Sequence, residues 1–220
     1  MTRPQALTFA VEGSRVSGLL QVPRKARVCY VLAHGAGAGM LHPFMEAFAE
    51  GRAERGIATL RYQFPYMEQG RKRPDTPKLA QATVRSAAAE ASRLLPGFAL
   101  VAGGKSFGGR MTSQAQAISP LPGVRGLVFL GFPLHPAGRP SDERGDHLFE
   151  IKVPMLFLQG TRDSLADTEL VEALVMRLGK QATLKLFQDA DHSFQVRGRN
   201  DEEVRAEMLD ELAGWLETNV

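Results

Sequence analysis

Residues 97–110 read GFALVAGGKSFGGR, and this stretch decides the fold class of the chain. The apolar run ALVAG at 99–103 has the character of a buried strand, and a helical pattern follows it. Between them lies the GxSxG sequence Gly104-Lys105-Ser106-Phe107-Gly108. A strand-to-helix turn this tight needs small neighbours, because its central residue is held in a strained backbone conformation. We therefore predict that Ser106 is a nucleophile projecting from the carboxyl end of a strand, at the positive end of the next helix.

The same glycines allow two other interpretations. GGKS at 103–106 resembles the end of a phosphate-binding loop, but the first glycine of GxxxxGK[ST] is replaced by Ala99, so the match fails. Glycine-rich turns also end ordinary strands. The nucleophile interpretation therefore depends on what the rest of the chain supplies.

Outward from this stretch, short apolar runs alternate with helical patterns, as is typical of a wound α/β sheet. Runs at 6–13 and 15–23 predict an edge hairpin joined by a Gly-Ser turn. Further runs predict strands buried on both faces at 27–37, 56–65, 97–106, 125–133, 153–163 and 182–192. Helical patterns lie at 43–55, 78–95, 108–118, 168–180 and 199–218. Residues 63–77 have loop composition throughout, and we expect one domain over 1–220.

Composition narrows the class of protein further. The 220 residues are 44% hydrophobic and 23% charged, close to soluble globular averages, which excludes a disordered or fibrous chain. The net charge of +3 is too small to argue for nucleic acid. Residues 1–14 contain no apolar run of signal-peptide length, and no run approaches the roughly 20 residues that span a bilayer. With Cys29 as its one cysteine, the chain is expected to be cytoplasmic, with no membrane or nucleic-acid partner.

A serine hydroxyl needs a general base and a group that orients that base. On this kind of turn, the acid and the histidine follow the serine in that order, at the ends of later strands. Asp163 ends the run PMLFLQGTRD, and His192 follows LKLFQDAD. We predict Ser106, Asp163 and His192 as the catalytic residues. Asp167 and Asp191 are rival acids, and Asp167 fits a helix N-cap better.

Acyl transfer also needs hydrogen-bond donors for a developing oxyanion. The backbone N–H of Phe107, directly after the nucleophile, is expected to be one donor. The second is placed at Ala36, with Gly35 or Gly37 as alternatives, because small residues let a backbone approach the substrate closely. His34 is expected to brace this loop. No HxH or HExxH spacing is present, so we expect neither a metal nor another cofactor.

Six segments carry a resemblance to a known family: HGAGAGM at 34–40, RYQFPYMEQGRKRPD at 61–75, GKSFGGR at 104–110, GFPLHP at 131–136, QGTRD at 159–163 and DHSF at 191–194. With them the chain resembles the α/β-hydrolase superfamily, near dienelactone-hydrolase-like serine esterases. It is more closely similar to the hydrolase-like family of testis-expressed protein thirty and an NSL-complex regulatory subunit. The resemblance implies an α/β-hydrolase fold with a mostly parallel eight-stranded sheet and Ser106, Asp163 and His192 as triad. Dienelactone hydrolases carry cysteine where this chain has Ser106.

The expected function is therefore that of a serine hydrolase, carboxylesterase or thioesterase-like, that cleaves an ester, thioester or related acyl bond through an acyl-enzyme intermediate. Its substrate would be a small molecule or an acyl group on a larger one. Only about 20 residues, 131–150, are available for a lid, so no large cap domain is expected. The alternative is a non-catalytic protein-interaction module on the same fold. An intact triad argues against it, since a scaffold is free to lose any member.

The basic run Arg71-Lys72-Arg73 leaves two interpretations open. Loops at the carboxyl ends of parallel strands surround the ligand crevice, so Arg71 and Arg73 could bind an anionic group of the substrate. The other interpretation is a solvated basic loop. Without interleaved aromatic residues, the run does not indicate nucleic-acid binding.

Overall fold

One sheet of eight strands organises the protein, and its computed structural model describes residues 3–220. The strands are β1 Gln5–Val11, β2 Ser14–Gln21, β3 Val28–Ala33, β4 Ala58–Tyr62, β5 Ala99–Lys105, β6 Val124–Leu130, β7 Met155–Gly160 and β8 Ala182–Phe187. Their order in the sheet is β1-β2-β4-β3-β5-β6-β7-β8. β2 pairs antiparallel with β1 and β4, and every other neighbouring pair in this order is parallel. The predicted mostly parallel eight-stranded sheet is confirmed.

Helices cover both faces of this sheet. They are α1 Pro43–Glu54, α2 Pro65–Glu68, α3 Pro77–Leu94, α4 Phe107–Ile118, α5 Thr168–Leu178 and α6 Asp201–Asn219, with 3₁₀ helices at Glu143–Glu150 and Gly179–Gln181. α1 and α6 pack on one face, and α3, α4 and α5 pack on the other. Among the described residues, no helix combines the length and apolarity needed to cross a membrane.

The central strands are buried on both faces, and β3 shows how. Tyr30 and Leu32 face the core beneath α1 and α6, whereas Val31 and Ala33 face the opposite core. Cys29 shares the side of Val31 and is fully buried, and this burial raises the pKa of its thiol to about 12. Successive residues of a strand point to opposite faces of the sheet. A strand that is buried on both faces therefore needs a continuous run of apolar residues.

Two local predictions were wrong. The β1–β2 turn is Glu12-Gly13, both with positive φ (40° and 80°), rather than Gly-Ser, because Ser14 already pairs with Val11. The segment 63–77 is not loop throughout, since it contains α2, which begins at Pro65. Proline is well suited to a first helical position, and the side chains of Phe64 and Tyr66 are buried there.

The connection between β6 and β7 remains short. Its only helical element among the described residues is the 3₁₀ helix Glu143–Glu150, which packs on α4 through His147 and Ser113. The fold therefore has no large cap. The carboxyl ends of β3, β5, β7 and β8 are left facing the same edge of the sheet, which is where parallel sheets place their sites.

Candidate active site

The turn after β5 holds Ser106 in a backbone conformation that few residues adopt. Its φ is 50° and its ψ is −116°, directly before α4. The flanking positions must be glycine because neighbouring backbone lies too close for a side chain. A Cβ at Gly104 would lie 2.2 Å from the Ala33 carbonyl oxygen, and a Cβ at Gly108 would lie 2.6 Å from the His34 carbonyl oxygen. β3 and its following loop thus press against the turn, and only glycine fits there. The predicted strained strand-to-helix turn is present.

A chain of hydrogen bonds links three of the predicted residues. The Ser106 hydroxyl lies 2.9 Å from His192 Nε2, and His192 Nδ1 lies 2.7 Å from Asp163 Oδ2. A carboxylate can only accept a hydrogen bond, so His192 Nδ1 carries the ring proton and donates a hydrogen bond to Asp163. His192 Nε2 is then unprotonated and accepts a hydrogen bond from the Ser106 hydroxyl. This tautomer and this geometry are those of a serine with a base and an orienting acid.

Asp163 is buried, and both of its carboxylate oxygens accept hydrogen bonds. Its Oδ2 also accepts from the Gln159 side-chain amide at 2.6 Å, and its Oδ1 accepts from the Leu165 N–H at 2.8 Å. Burial opposes ionisation, but the hydrogen bond and charge of His192, the Leu165 N–H and the Lys105 charge together hold the pKa of Asp163 below its ordinary value. Asp163 is therefore a carboxylate around neutral pH.

The rival acids have other roles. Asp167 caps α5 by accepting from the Leu170 N–H, as its position predicted. Asp191 accepts from the backbone N–H groups of Ser193 and Gln195, which shapes the loop that carries His192. Neither carboxylate contacts the imidazole.

The expected oxyanion donors differ in their availability. The Phe107 N–H opens α4 and has no partner within the helix. The N–H of Ala36 donates no hydrogen bond within residues 3–220. In contrast, the Gly37 N–H donates to the Tyr66 hydroxyl at 2.8 Å, which removes Gly37 from the alternatives. Phe107 with Ala36 or Gly35 therefore remains the predicted pair.

His34 braces the loop after β3. It is fully buried, its Nδ1 lies 2.7 Å from the Gly35 carbonyl oxygen, and its Nε2 lies 3.2 Å from the Phe64 N. The ring is therefore neutral, with Nδ1 donating to Gly35 and Nε2 accepting from Phe64. Burial lowers the pKa of His34 to about 4, although the Gly35 hydrogen bond and the Asp75 charge oppose this shift.

The residues of the basic run are not among those that line the cavity at Ser106. Arg71 donates to Asp75 at 2.8 Å and to Gln69, and Asp75 in turn accepts from the Tyr66 N–H. Arg73 is exposed. The substrate contacts considered for Arg71 and Arg73 stay a prediction, and the contact that the structure gives Arg71 stabilises the segment that carries Tyr66.

A mostly apolar cavity of about 370 Å³ opens at Ser106. Its walls are Gly35, Ala36, Ala38, His42, Phe44, Met45, Lys105, Ser106, Leu165, His192 and Ser193. Several of these were not predicted from sequence patterns. Leu165 could have been found from its place two residues after Asp163, and Lys105 from its place within GxSxG. Phe44 and Met45 give no local signal, because only the packing of α1 brings them to the cavity.

Within residues 3–220, the structure contains no group of three His, Cys, Asp or Glu side chains that could hold a metal ion. The Ser106 site contains polar groups suited to proton transfer and to binding an oxyanion. It also contains apolar walls suited to an organic substituent.

Comparison with known proteins agrees with this architecture. The chain is similar to a dienelactone hydrolase from Anabaena variabilis (20% identity, 100% of this chain and 99% of that one, TM-score 0.81). It is also similar to an α/β serine hydrolase without lid from Xanthomonas campestris (22%, 99% and 94%, 0.73). A third similar structure is Est1E from Butyrivibrio proteoclasticus with ferulic acid bound (17%, 96% and 98%, 0.74). The family model described as "Alpha/beta hydrolase domain" matches residues 26–217, and this protein is therefore a member of the α/β-hydrolase family.

Proposed function

We propose that the protein is a serine hydrolase that cleaves carboxylic esters through Ser106, His192 and Asp163. The observation that carries this proposal is the continuous hydrogen-bonded chain from the Ser106 hydroxyl through His192 to Asp163. It occurs at a residue whose positive φ presents the hydroxyl to a cavity. Such a backbone conformation is retained where the surrounding structure and function require it.

In the proposed reaction, Ser106 Oγ attacks the ester carbonyl carbon while its proton passes to His192 Nε2. The tetrahedral oxyanion accepts hydrogen bonds from the Phe107 N–H and from Ala36 or Gly35. The C–O bond to the leaving group then breaks, and the leaving alkoxide takes the proton from Nε2. Water attacks the acyl-enzyme by the same route, which releases the acid and restores the Ser106 hydroxyl.

The walls of the cavity favour a small apolar acyl or aryl group. Phe44, Met45 and Leu165 supply apolar surface, and about 370 Å³ is at the lower end of the range for small-molecule sites. Several structural neighbours are themselves hydrolases or esterases by their descriptions, which supports the same chemistry.

The test is labelling with a fluorophosphonate probe, together with hydrolysis of p-nitrophenyl esters from acetate to octanoate. We expect Ser106→Ala to abolish labelling and to lower kcat by about 10⁴-fold or more, since the other site groups cannot replace a nucleophile. Activity should be highest on the shorter esters.

Ser113→Ala provides a matched control. Ser113 also lies 2.7 Å from a histidine nitrogen, Nε2 of His147, but its own proton is donated to the Arg110 carbonyl, so His147 is the donor in that pair. Ser113→Ala should keep full labelling. Unchanged labelling and turnover in Ser106→Ala would disprove the proposed function.

A further inference from the structure

Lys105, the residue between the first glycine and the serine of GxSxG, crosses from β5 to the loop that carries His192. Its Nζ donates a hydrogen bond to the carbonyl oxygen of His192 itself. The ammonium group also lies 5.5 Å from the centre of the Phe194 ring. One side chain of the nucleophile strand thus contacts the histidine's main chain and the aromatic residue two positions after it.

Three polar groups converge beneath Gly131, which has a φ of +66° at the end of β6. A Cβ at this glycine would lie 3.1 Å from Lys105 Nζ and 3.5 Å from both Asp163 Oδ2 and His192 Cε1. The ammonium group, the carboxylate and the imidazole therefore share one small space behind the Ser106 cavity. A Cβ at Gly131 would therefore be in contact with all three groups, and most closely with the ammonium group.

The charges around Lys105 act in opposing directions. Burial lowers the pKa of Lys105 to about 8, while the carboxylates of Asp163 and Asp191 favour its charged form. Its positive charge in turn helps to keep Asp163 ionised. His192 is the third titratable group that faces Lys105. The hydrogen bond to the His192 carbonyl is the contact through which Lys105 acts directly on the histidine.

We propose that Lys105 is a positioning residue that ties the His192 loop to the strand bearing Ser106, so that Nε2 stays within hydrogen-bond distance of the serine hydroxyl. This inference rests on the proposed function. The reason is geometric: Ser106 and His192 lie on separate loops, and a charged donor anchors the histidine's own carbonyl more strongly than a neutral one would. An error of about 1 Å in such a pair can lower the rate up to 100-fold.

The first test is Lys105→Met, which keeps an unbranched stem and removes the donor. We expect kcat for p-nitrophenyl acetate to fall about 10- to 100-fold, with KM within about two-fold of wild type, because the variant keeps an unbranched stem where Lys105 lines the cavity. Lys105→Arg, which keeps a charged donor, should recover part of the lost kcat. Lys152→Met is the matched control, since Lys152 also donates to a main-chain carbonyl, that of Phe149, but at an exposed position. It should leave kcat unchanged.

A second measurement is spectroscopic and compares the wild type with Lys105→Met. The proton shared by His192 Nδ1 and Asp163 should give a strongly deshielded NMR resonance. In the wild-type protein we expect this resonance to shift or broaden with a midpoint near pH 8, where Lys105 loses its charge. In Lys105→Met the resonance should be altered at every pH.

The proposal is overturned if Lys105→Met keeps wild-type kcat, if Lys105→Arg recovers nothing, or if the resonance of Lys105→Met matches that of the wild type. These failures are distinct from failure of the proposed function. In the latter case the wild type would show no turnover that depends on Ser106, whatever residue stood at position 105.

Discussion

At the residue scale, three donors point at the carboxylate oxygens of Asp163. Gln159 and His192 donate to Oδ2, and the Leu165 N–H donates to Oδ1. An amide at this position would place an NH₂ group against one of these donors. The site is thus specific for an ionised acid and not only for a side chain of that shape.

Asp163→Asn tests this specificity. We expect kcat to fall by about 10⁴-fold, because the introduced amide favours the His192 tautomer in which Nε2 carries the proton and cannot accept one from Ser106. Steady-state hydrolysis of p-nitrophenyl acetate measures the effect. Asp167→Asn is the matched control, since asparagine caps α5 as well as aspartate does. A severe loss in Asp167→Asn, with a mild one in Asp163→Asn, would show that the acid is Asp167 instead.

At the element scale, the segment 63–77 supports the loop that is expected to bind the oxyanion. Its side chains form a connected path: Arg71 donates to Asp75, Asp75 accepts from the Tyr66 N–H, and the Tyr66 hydroxyl accepts from the Gly37 N–H. The position of Gly37 therefore depends on a segment that contains no proposed catalytic residue. Ala36, its neighbour, depends on the same path.

Tyr66→Phe removes the last link of that path. We expect kcat to fall about ten-fold with little change in the thermal unfolding temperature, because the ring keeps its packing while the loop loses an anchor. Tyr30→Phe is the matched control: its hydroxyl donates to the Val128 carbonyl within the sheet, so its loss lowers stability by about 1 kcal/mol and leaves kcat unchanged. Equal kcat in wild type and Tyr66→Phe would show that this hydrogen bond does not position the loop.

At the scale of the whole molecule, two histidines are held neutral by burial, which makes the free energy of unfolding depend on pH. The pKa of His34 and that of His147 are both lowered to about 4, by burial first; the Arg110 charge adds to the shift of His147. Between pH 6.5 and pH 4 the unfolded chain therefore binds protons that the folded chain does not. Stability is fully present above about pH 6.5 and is lost as the pH falls towards 4.

Urea unfolding followed by circular dichroism measures this dependence. For His34 alone we expect the free energy of unfolding to fall by about 1.4 kcal/mol per pH unit within that window. The slope should decrease in His34→Gln, with the stability of that variant at pH 7.5 as its reference. A wild-type stability that is constant from pH 7 to pH 4.5 would contradict the prediction.

The sequence by itself determined the order of strands and helices along the chain, the tight turn at Ser106 and the positions of Asp163 and His192 after later strands. These features are local: apolar runs of strand length and glycines on both sides of a serine act within a few residues of chain. The helix within 63–77 was not predicted from the sequence, because the loop-like composition of that segment concealed the buried Phe64 and Tyr66.

Only the tertiary structure decided which groups meet. It placed the Gly37 N–H on Tyr66, Arg71 on Asp75 and Lys105 on the carbonyl of His192. The first and last of these contacts join residues 29 and 87 positions apart in the chain, and no local pattern encodes them. The physical reason is that a donor's partner is set by the packing of whole strands and loops, whereas a strand or a turn is set by its own side chains.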